Sequence, residues 1–344
     1  MPRQDIVVKG LTGDEKLSIS YVDLDGGDIE IPILPSITLA ASQVENQTYG
    51  IYEDTVGLIR TFRPAGADGF NLFLAGAGNN TMLPGDASQA SYNIAVGRLS
   101  FISNTTGHDN VAVGYETLNA NTIGSANVAL GHQALRAHIS ADDNVAIGYK
   151  ALYATTTGGQ NTACGCAALI ANVSGDGNTA VGIQSLRYNS TGVHNTAIGK
   201  WALWNYTTGN HNTAIGDSAV VGGGGEGTST GSFNVGCGAY ALYSCAGDSN
   251  VALGTTAGYY ETGSNKLFID NAARSDEADG RIKALIYGIF AAASVNQRLR
   301  INGRLGVTEC PNYTNNTAAL AGGLVSGEFY TVTGTDPLQV AKVI

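Results

Sequence analysis

Asn110-Val-Ala-Val-Gly114, Asn127-Val-Ala-Leu-Gly131, Asn144-Val-Ala-Ile-Gly148 and Asn161-Thr-Ala-Cys-Gly165 follow one another at a fixed step of 17 residues. The same phrase stands earlier at Asn93 and continues at Asn178, Asn195 and Asn212 without losing phase. It returns after a gap of 22 residues at Asn234 and after one of 16 at Asn250. A fixed short period predicts a solenoid in which each repeat is one coil and stability comes from stacking.

Other positions keep the phase. A small residue and then usually an aliphatic one follow each Asn by seven and eight positions, as in Thr117-Leu118, Ala134-Leu135, Ala151-Leu152 and Ala168-Leu169. Fourteen positions after the Asn stands a Gly in most repeats: Gly107, Gly124, Gly158, Gly175, Gly192 and Gly209. One coil therefore reads as strand, Gly corner, second strand and a polar Thr/Gly turn, with Gly supplying backbone angles other residues avoid. In the first strand Asn and Ala point one way, and Val/Thr with Val/Ile/Leu point the other. A strand with one wet face should alternate apolar with polar. Here both sets are apolar or internal in type, so both faces should be covered. Asn and Ala face the inside, where an amide can donate and accept along the stack. Val111, Val113, Val128, Leu130, Val145 and Ile147 face outward, most simply against sister chains in a homotrimer.

The N-x-A-[VIL]-G-x-x-[AST]-L phrase with Thr-Thr-Gly turns resembles the repeats of bacteriophage tail-fibre proteins and of trimeric autotransporter adhesin heads. Ser264-Asn-Lys-Leu-Phe-Ile-Asp-Asn271, Ala284-Leu-Ile-Tyr-Gly-Ile-Phe290 and Leu299-Arg-Ile-Asn-Gly-Arg-Leu-Gly-Val307 resemble the shoulder that follows such repeats in fibre proteins. The likeness spans residues 71 to 307. It implies an all-β, left-handed parallel β-roll, trimeric, on a virion appendage made in the host cytoplasm. In fibre proteins the N-terminal part docks on the particle, and an autocleaving chaperone often follows the shoulder. Here only a short tail does.

Composition agrees with a repeat scaffold. Of 344 residues, 47 are Gly, 7 are Pro and 13% are charged, while Val, Ile, Leu and Ala recur in register, unlike a disordered chain. A net charge of −10 argues against a nucleic-acid partner. No apolar run approaches a membrane span. Met1-Pro-Arg-Gln-Asp-Ile-Val-Val8 is not a signal-peptide pattern, which favours the virion reading over a bacterial surface adhesin.

In chain order, residues 1–65 read as a β-rich base with a hairpin across Asp25-Gly-Gly27, and the resemblance implies that this base attaches to other virion proteins. Residues 66–265 are the shaft, beginning with an irregular coil near Asn71. Residues 266–307 are the neck, and 308–344 a tip. Val221-Gly-Gly-Gly-Gly-Glu-Gly227 accompanies the long gap and should bulge from a corner. Contact with a host-surface glycan or protein is expected first at the tip, through Tyr313, Phe329 and Tyr330, and second at the Gly222–Glu226 loop. The alternative for the tip aromatics is that they only plug the trimer end.

The candidate reactive groups point away from an enzyme. His194 and His211 should stack one coil apart, more as solvated turn residues than as metal ligands. Five cysteines have no metal-type spacing, and Cys164 and Cys237 take an apolar phase that suggests small core residues. No recurring carboxylate pair, phosphate loop or nucleophile elbow is present, so no cofactor, metal or catalytic residue is expected. A hexapeptide-repeat acyltransferase, another trimeric solenoid, would need an aliphatic residue every six positions. The register here is one Asn and one Ala-Leu pair per coil.

Overall fold

The computed structural model describes residues 48–53, 56–62, 71–75, 77–78, 90–223, 226–290 and 296–302, and strands at 312–313, 329–332 and 340–342. The hairpin expected across Asp25-Gly-Gly27 lies outside these residues, as does Cys310.

Sixteen strands form one sheet in strict sequence order. β1 (Thr48–Glu53) and β2 (Val56–Phe62) pair antiparallel, and β2 pairs antiparallel with β3 (Asn71–Leu74). From β3 the pairing turns parallel. Ten three-residue strands follow, from β4 (Ile94–Val96) to β13 (Val251–Leu253), and β14 (Lys266–Ile269) closes the parallel run. Each coil places its strand on the one before in perfect phase, so Ala112, Ala129, Ala146 and Ala163 pair in a single row. β15 (Ile286–Ile289) and β16 (Arg298–Ile301) then return antiparallel. The sheet thus runs on beyond residues 65 and 265 in both directions. A separate three-stranded sheet holds β17 (Asn312–Tyr313), β18 (Phe329–Val332) and β19 (Val340–Lys342). The fold is an all-β solenoid with coils of about 17 residues.

The second strand expected in each coil is not formed. In its place the chain runs through turns with alternate residues in the left-handed region. In the coil opened by Asn127, Gln133 and Leu135 have φ of 60° and 49°. A residue at such an angle cannot sit in an extended strand. The segment nevertheless bonds from coil to coil, Leu135 N donating to Ala151 O at 3.0 Å and Lys150 N to His132 O at 3.0 Å. Left-handed leucines are costly, on the order of 1 kcal/mol each. Burial offsets that cost: Leu118, Leu135, Leu152, Leu169, Leu186 and Leu203 are all fully buried, and each fully buried leucine contributes roughly 1.5–3 kcal/mol.

The sequence reading placed no helix in the neck. α1 (Glu277–Lys283) lies between β14 and β15, starting at Asp276, whose side chain accepts from Asp279 N at 2.8 Å. Arg281 reaches from it to Glu261, with its Nη2 2.6 Å and its Nε 2.8 Å from the carboxylate oxygens. Burial pushes the Glu261 carboxyl up, but the Arg281 guanidinium and the Gly263 N–H outweigh it and hold it below the ordinary carboxylate range.

Candidate functional site

The interior of the solenoid is built around amides. Asn93, Asn110, Asn127, Asn144, Asn161, Asn178, Asn195, Asn212, Asn234 and Asn250 are all buried. Each repeats one pattern. Asn161 donates from its backbone N at 3.0 Å and from Nδ2 at 3.2 Å to Asn144 Oδ1, and from Nδ2 to Gly175 O at 2.8 Å. Its own Oδ1 accepts from Asn178 N at 2.9 Å and Nδ2 at 3.1 Å. The ladder crosses the 22-residue gap intact, Asn234 N donating to Asn212 Oδ1 at 2.9 Å, and ends where Lys266 N donates to Asn250 Oδ1 at 2.9 Å.

A second buried polar column went unnoticed in the sequence. It lies eleven residues after each ladder Asn and holds Asn104, Asn121, His138, Thr155, Asn172 and Asn189. Tyr206, Cys245 and Glu261 prolong it. Asn121 Nδ2 donates to Asn104 Oδ1 at 2.8 Å and Asn189 Nδ2 to Asn172 Oδ1 at 2.9 Å. Where the second column holds Asn or His, the two columns meet on one carbonyl: Gly124 O accepts from Asn110 Nδ2 at 2.9 Å and from Asn121 Nδ2 at 3.0 Å, filling both lone pairs. The signal was present, since Asn104 to Asn121 and Asn172 to Asn189 are steps of 17, but His138, Thr155 and Tyr206 interrupt the letter while keeping the place.

This column has two flaws: Asn189 Oδ1, followed by Tyr206 instead of an amide, is a buried acceptor without a donor, and His138 makes the other. His138 Nε2 lies 2.7 Å from Ala141 O, which can only accept, so Nε2 carries the proton. Its Nδ1 and the neighbouring Asn121 Oδ1 are then two buried acceptors without a donor. Burial lowers the His138 pKa, against the opposing Ala141 carbonyl and Asp142. The folded state therefore keeps the imidazole neutral while the unfolded chain protonates it below about pH 6.5. Because the unfolded state binds more protons there, stability falls as pH drops below that value. His138→Asn should donate to both Ala141 O and Asn121 Oδ1, raising stability by about 1 kcal/mol at pH 7 and flattening the slope below pH 6.5. Thermal melts from pH 4.5 to 7.5 check this; a lower melting temperature at every pH would mean that the lost ring volume outweighs the gained bonds.

The outward face is apolar. Val111, Val113 and Val145 are half-buried, and Val128, Leu130 and Ile147 are exposed at 36%, 46% and 37%. Cys164 and Cys237 belong to this face, half-buried and exposed respectively, which corrects the expectation that they are core residues. Strand alternation puts them opposite the buried alanines. Among the described residues the buried cysteine is Cys245, whose thiol pKa is pushed up to about 11 by burial and which bonds Asn234 Oδ1 and Gly247 O.

His194 and His211 stack with ring centroids 5.1 Å apart, and Phe233 continues the stack at 5.2 Å. Both histidines are exposed on a corner, and an open groove of about 460 Å³ runs beside His194 between Asp142, Asp143 and Asp176. Among the described residues no cluster of three or more His, Cys, Asp or Glu could hold a metal ion. The insertion folds back on the shaft. Glu226 accepts from Tyr188 OH at 2.5 Å, and Gly222 is buried with φ 96°. Tyr313, Phe329 and Tyr330 fall in strands of the small sheet, and their side chains lie outside the described residues.

Buried ladders and an outward apolar face define a stacked-coil scaffold; they bring together no nucleophile, base and oxyanion donor among the described residues. No family model, curated protein or solved structure matches the chain.

Proposed function

We propose that this chain is the shaft of a homotrimeric fibre on a phage virion, joined to the particle through its N-terminal region and meeting a host-surface glycan or protein at its C-terminal end. One observation carries the reading. The outward strand face carries no charged residue from β4 to β13 and exposes a large apolar side chain in most coils, from Ile94 at 42% to Leu253 at 41%, with half-buried Val111 and Val113 in one coil and half-buried Thr162 and Cys164 in another. A contiguous apolar stripe of this length marks an interface rather than a solvated surface. A cyclic trimer of parallel chains buries the stripe of each chain and leaves no copy of it open.

Sedimentation of the intact chain should give a trimer at micromolar concentration. Leu130→Glu with Ile147→Glu should shift it toward monomer, because two carboxylates per chain would have to be desolvated in the interface. A soluble, stable monomer of the unaltered protein would defeat the reading. Running a chain cut before residue 308 in the same experiment, with cell binding as a second readout, separates assembly from host contact: continued trimerisation with continued binding places the contact elsewhere than Tyr313, Phe329 and Tyr330. A bacterial surface adhesin of the same build is the second reading, favoured by the same stripe; an enzymatic role in acyl transfer has no observation behind it.

A further inference from the structure

All five Lys and Arg residues between Asn93 and Asn265 fall on one side of the coil: Arg98, Arg136, Lys150, Arg187 and Lys200. Each stands five, six or nine residues after its ladder Asn, on the turn segment that follows the Gly corner. The opposite corner, just before the ladder Asn, holds Asp109, Asp142, Asp143, Asp176 and Asp248. A chain of net charge −10 has thus gathered the cations of its shaft into one strip.

Aromatic residues crowd the same strip. Tyr115, Tyr149, Trp201, Tyr240 and Tyr260 are each exposed at 38% or more. The cations lean on these rings: Lys200 Nζ is 3.8 Å from the Trp201 ring centroid, Lys150 Nζ is 5.2 Å from that of Tyr153, and Arg187 Cζ is 5.3 Å from that of Tyr188. Three carboxylates intrude, one of them Glu226, which accepts from the Tyr188 hydroxyl beside Arg187. Glu116 is held by Gln133 at 2.8 Å and Arg136 at 2.6 Å, which keep it ionised with a pKa lowered to about 2, and Asp217 accepts from Ser218.

We propose that this strip binds an acidic polysaccharide lying along the solenoid axis. Cations recur every one or two coils from Arg98 to Lys200, a spacing on the order of 5–10 Å at one strand separation per coil. That suits a polymer with a carboxylate on every sugar or every second sugar. Tyrosine hydroxyls between the cations supply partners for sugar hydroxyls. Single-stranded nucleic acid fits less well. Base binding needs free ring faces, and here the rings cover one another: Tyr115, His132 and Tyr149 form a column with centroids 5.1 and 5.4 Å apart, and Tyr243 and Tyr259 stack at 4.8 Å. The strip lies within one chain, so it goes beyond the fibre reading and holds whether or not three chains assemble.

The test uses the full chain with hyaluronan, alginate, polygalacturonate and polysialic acid as probes, and dextran and oligo-dT as controls, in titration calorimetry at low and high salt. Binding of at least one acidic polysaccharide is expected, weakened roughly tenfold or more by 0.5 M salt and by Lys150→Glu with Lys200→Glu. Melting temperature and sedimentation of the variant should match those of the parent. Four results would each overturn the proposal: no acidic polysaccharide binds; the double variant binds as well as the parent; oligo-dT binds as tightly as the best polysaccharide; or the double variant changes oligomeric state, which would make the strip a contact between copies. A parent trimer or monomer in sedimentation bears on the fibre reading alone.

Discussion

Gly165→Ala should lower the first unfolding transition by on the order of 10 °C. Gly165 has φ 145°, where an L side chain is strained, and its Cβ would sit 2.4 Å from Gly182 O and 2.7 Å from Gly182 C. Both obstacles are backbone, so no rotamer change relieves the clash. The next coil would have to retreat, and it is held by Gly182 N donating to Cys164 O at 2.8 Å. Strain of about 1–3 kcal/mol adds to the weakening of coil-to-coil bonds worth about 1 kcal/mol each. Gly148 faces Gly165 in the same way, with Gly165 O at 2.6 Å, so the disturbance has no slack on either side. Gly159→Ala is the comparison: its nearest neighbour is Asp142 O at 3.2 Å, and its φ lies outside the left-handed region. Thermal scans with limited proteolysis distinguish the two. Equal melting temperatures for both variants would show that the glycine corner is not what spaces the coils.

Asn161→Leu should cost on the order of 3–5 kcal/mol, from two or more buried groups left unpaired at about 1–3 kcal/mol each. Leucine is close in size but can neither donate nor accept. Asn178 would lose the acceptor for both its backbone N–H and its Nδ2, and Gly175 O and Asn144 Oδ1 would each lose a donor. The damage is directional: the coil of Asn178 loses a backbone partner and the coil of Asn144 loses only a side-chain donor and keeps its own acceptor. Hydrogen exchange should therefore show the Asn178 amide opening fastest. Asn161→Asp keeps the acceptor and removes the donor while burying a charge, so it should also destabilise, and more so as the carboxyl ionises above about pH 4. An unchanged denaturation midpoint for Asn161→Leu would mean that the ladder is filled by solvent at little cost.

Much of this architecture was legible from residues alone, and for one reason. In a stacked coil each position repeats its environment, so a side chain with a strict requirement must recur at the period. Asn161 and its nine counterparts, the row of Ala112, Ala129 and Ala146, and the corner glycines from Gly97 to Gly254 have such requirements. Their register alone determined the parallel stack, the coil length and the inward face. Positions whose requirement is met by several chemistries left no such trace. Asn121, His138 and Thr155 share a place in the second column because each fills it with a buried polar atom, and only the tertiary structure shows them as one set. The left-handed turns at Gln133 and Leu135 were hidden for a similar reason: neither residue type favours that angle, and coil-to-coil bonds together with burial of the leucine hold them there. The charge strip lies between these cases. Arg98, Arg136, Lys150, Arg187 and Lys200 follow no repeating letter, and their three different positions within the repeat conceal that they share one side. Only the path of the coil brings them together, because the turn segment after each glycine corner points successive non-core side chains out of the same flank.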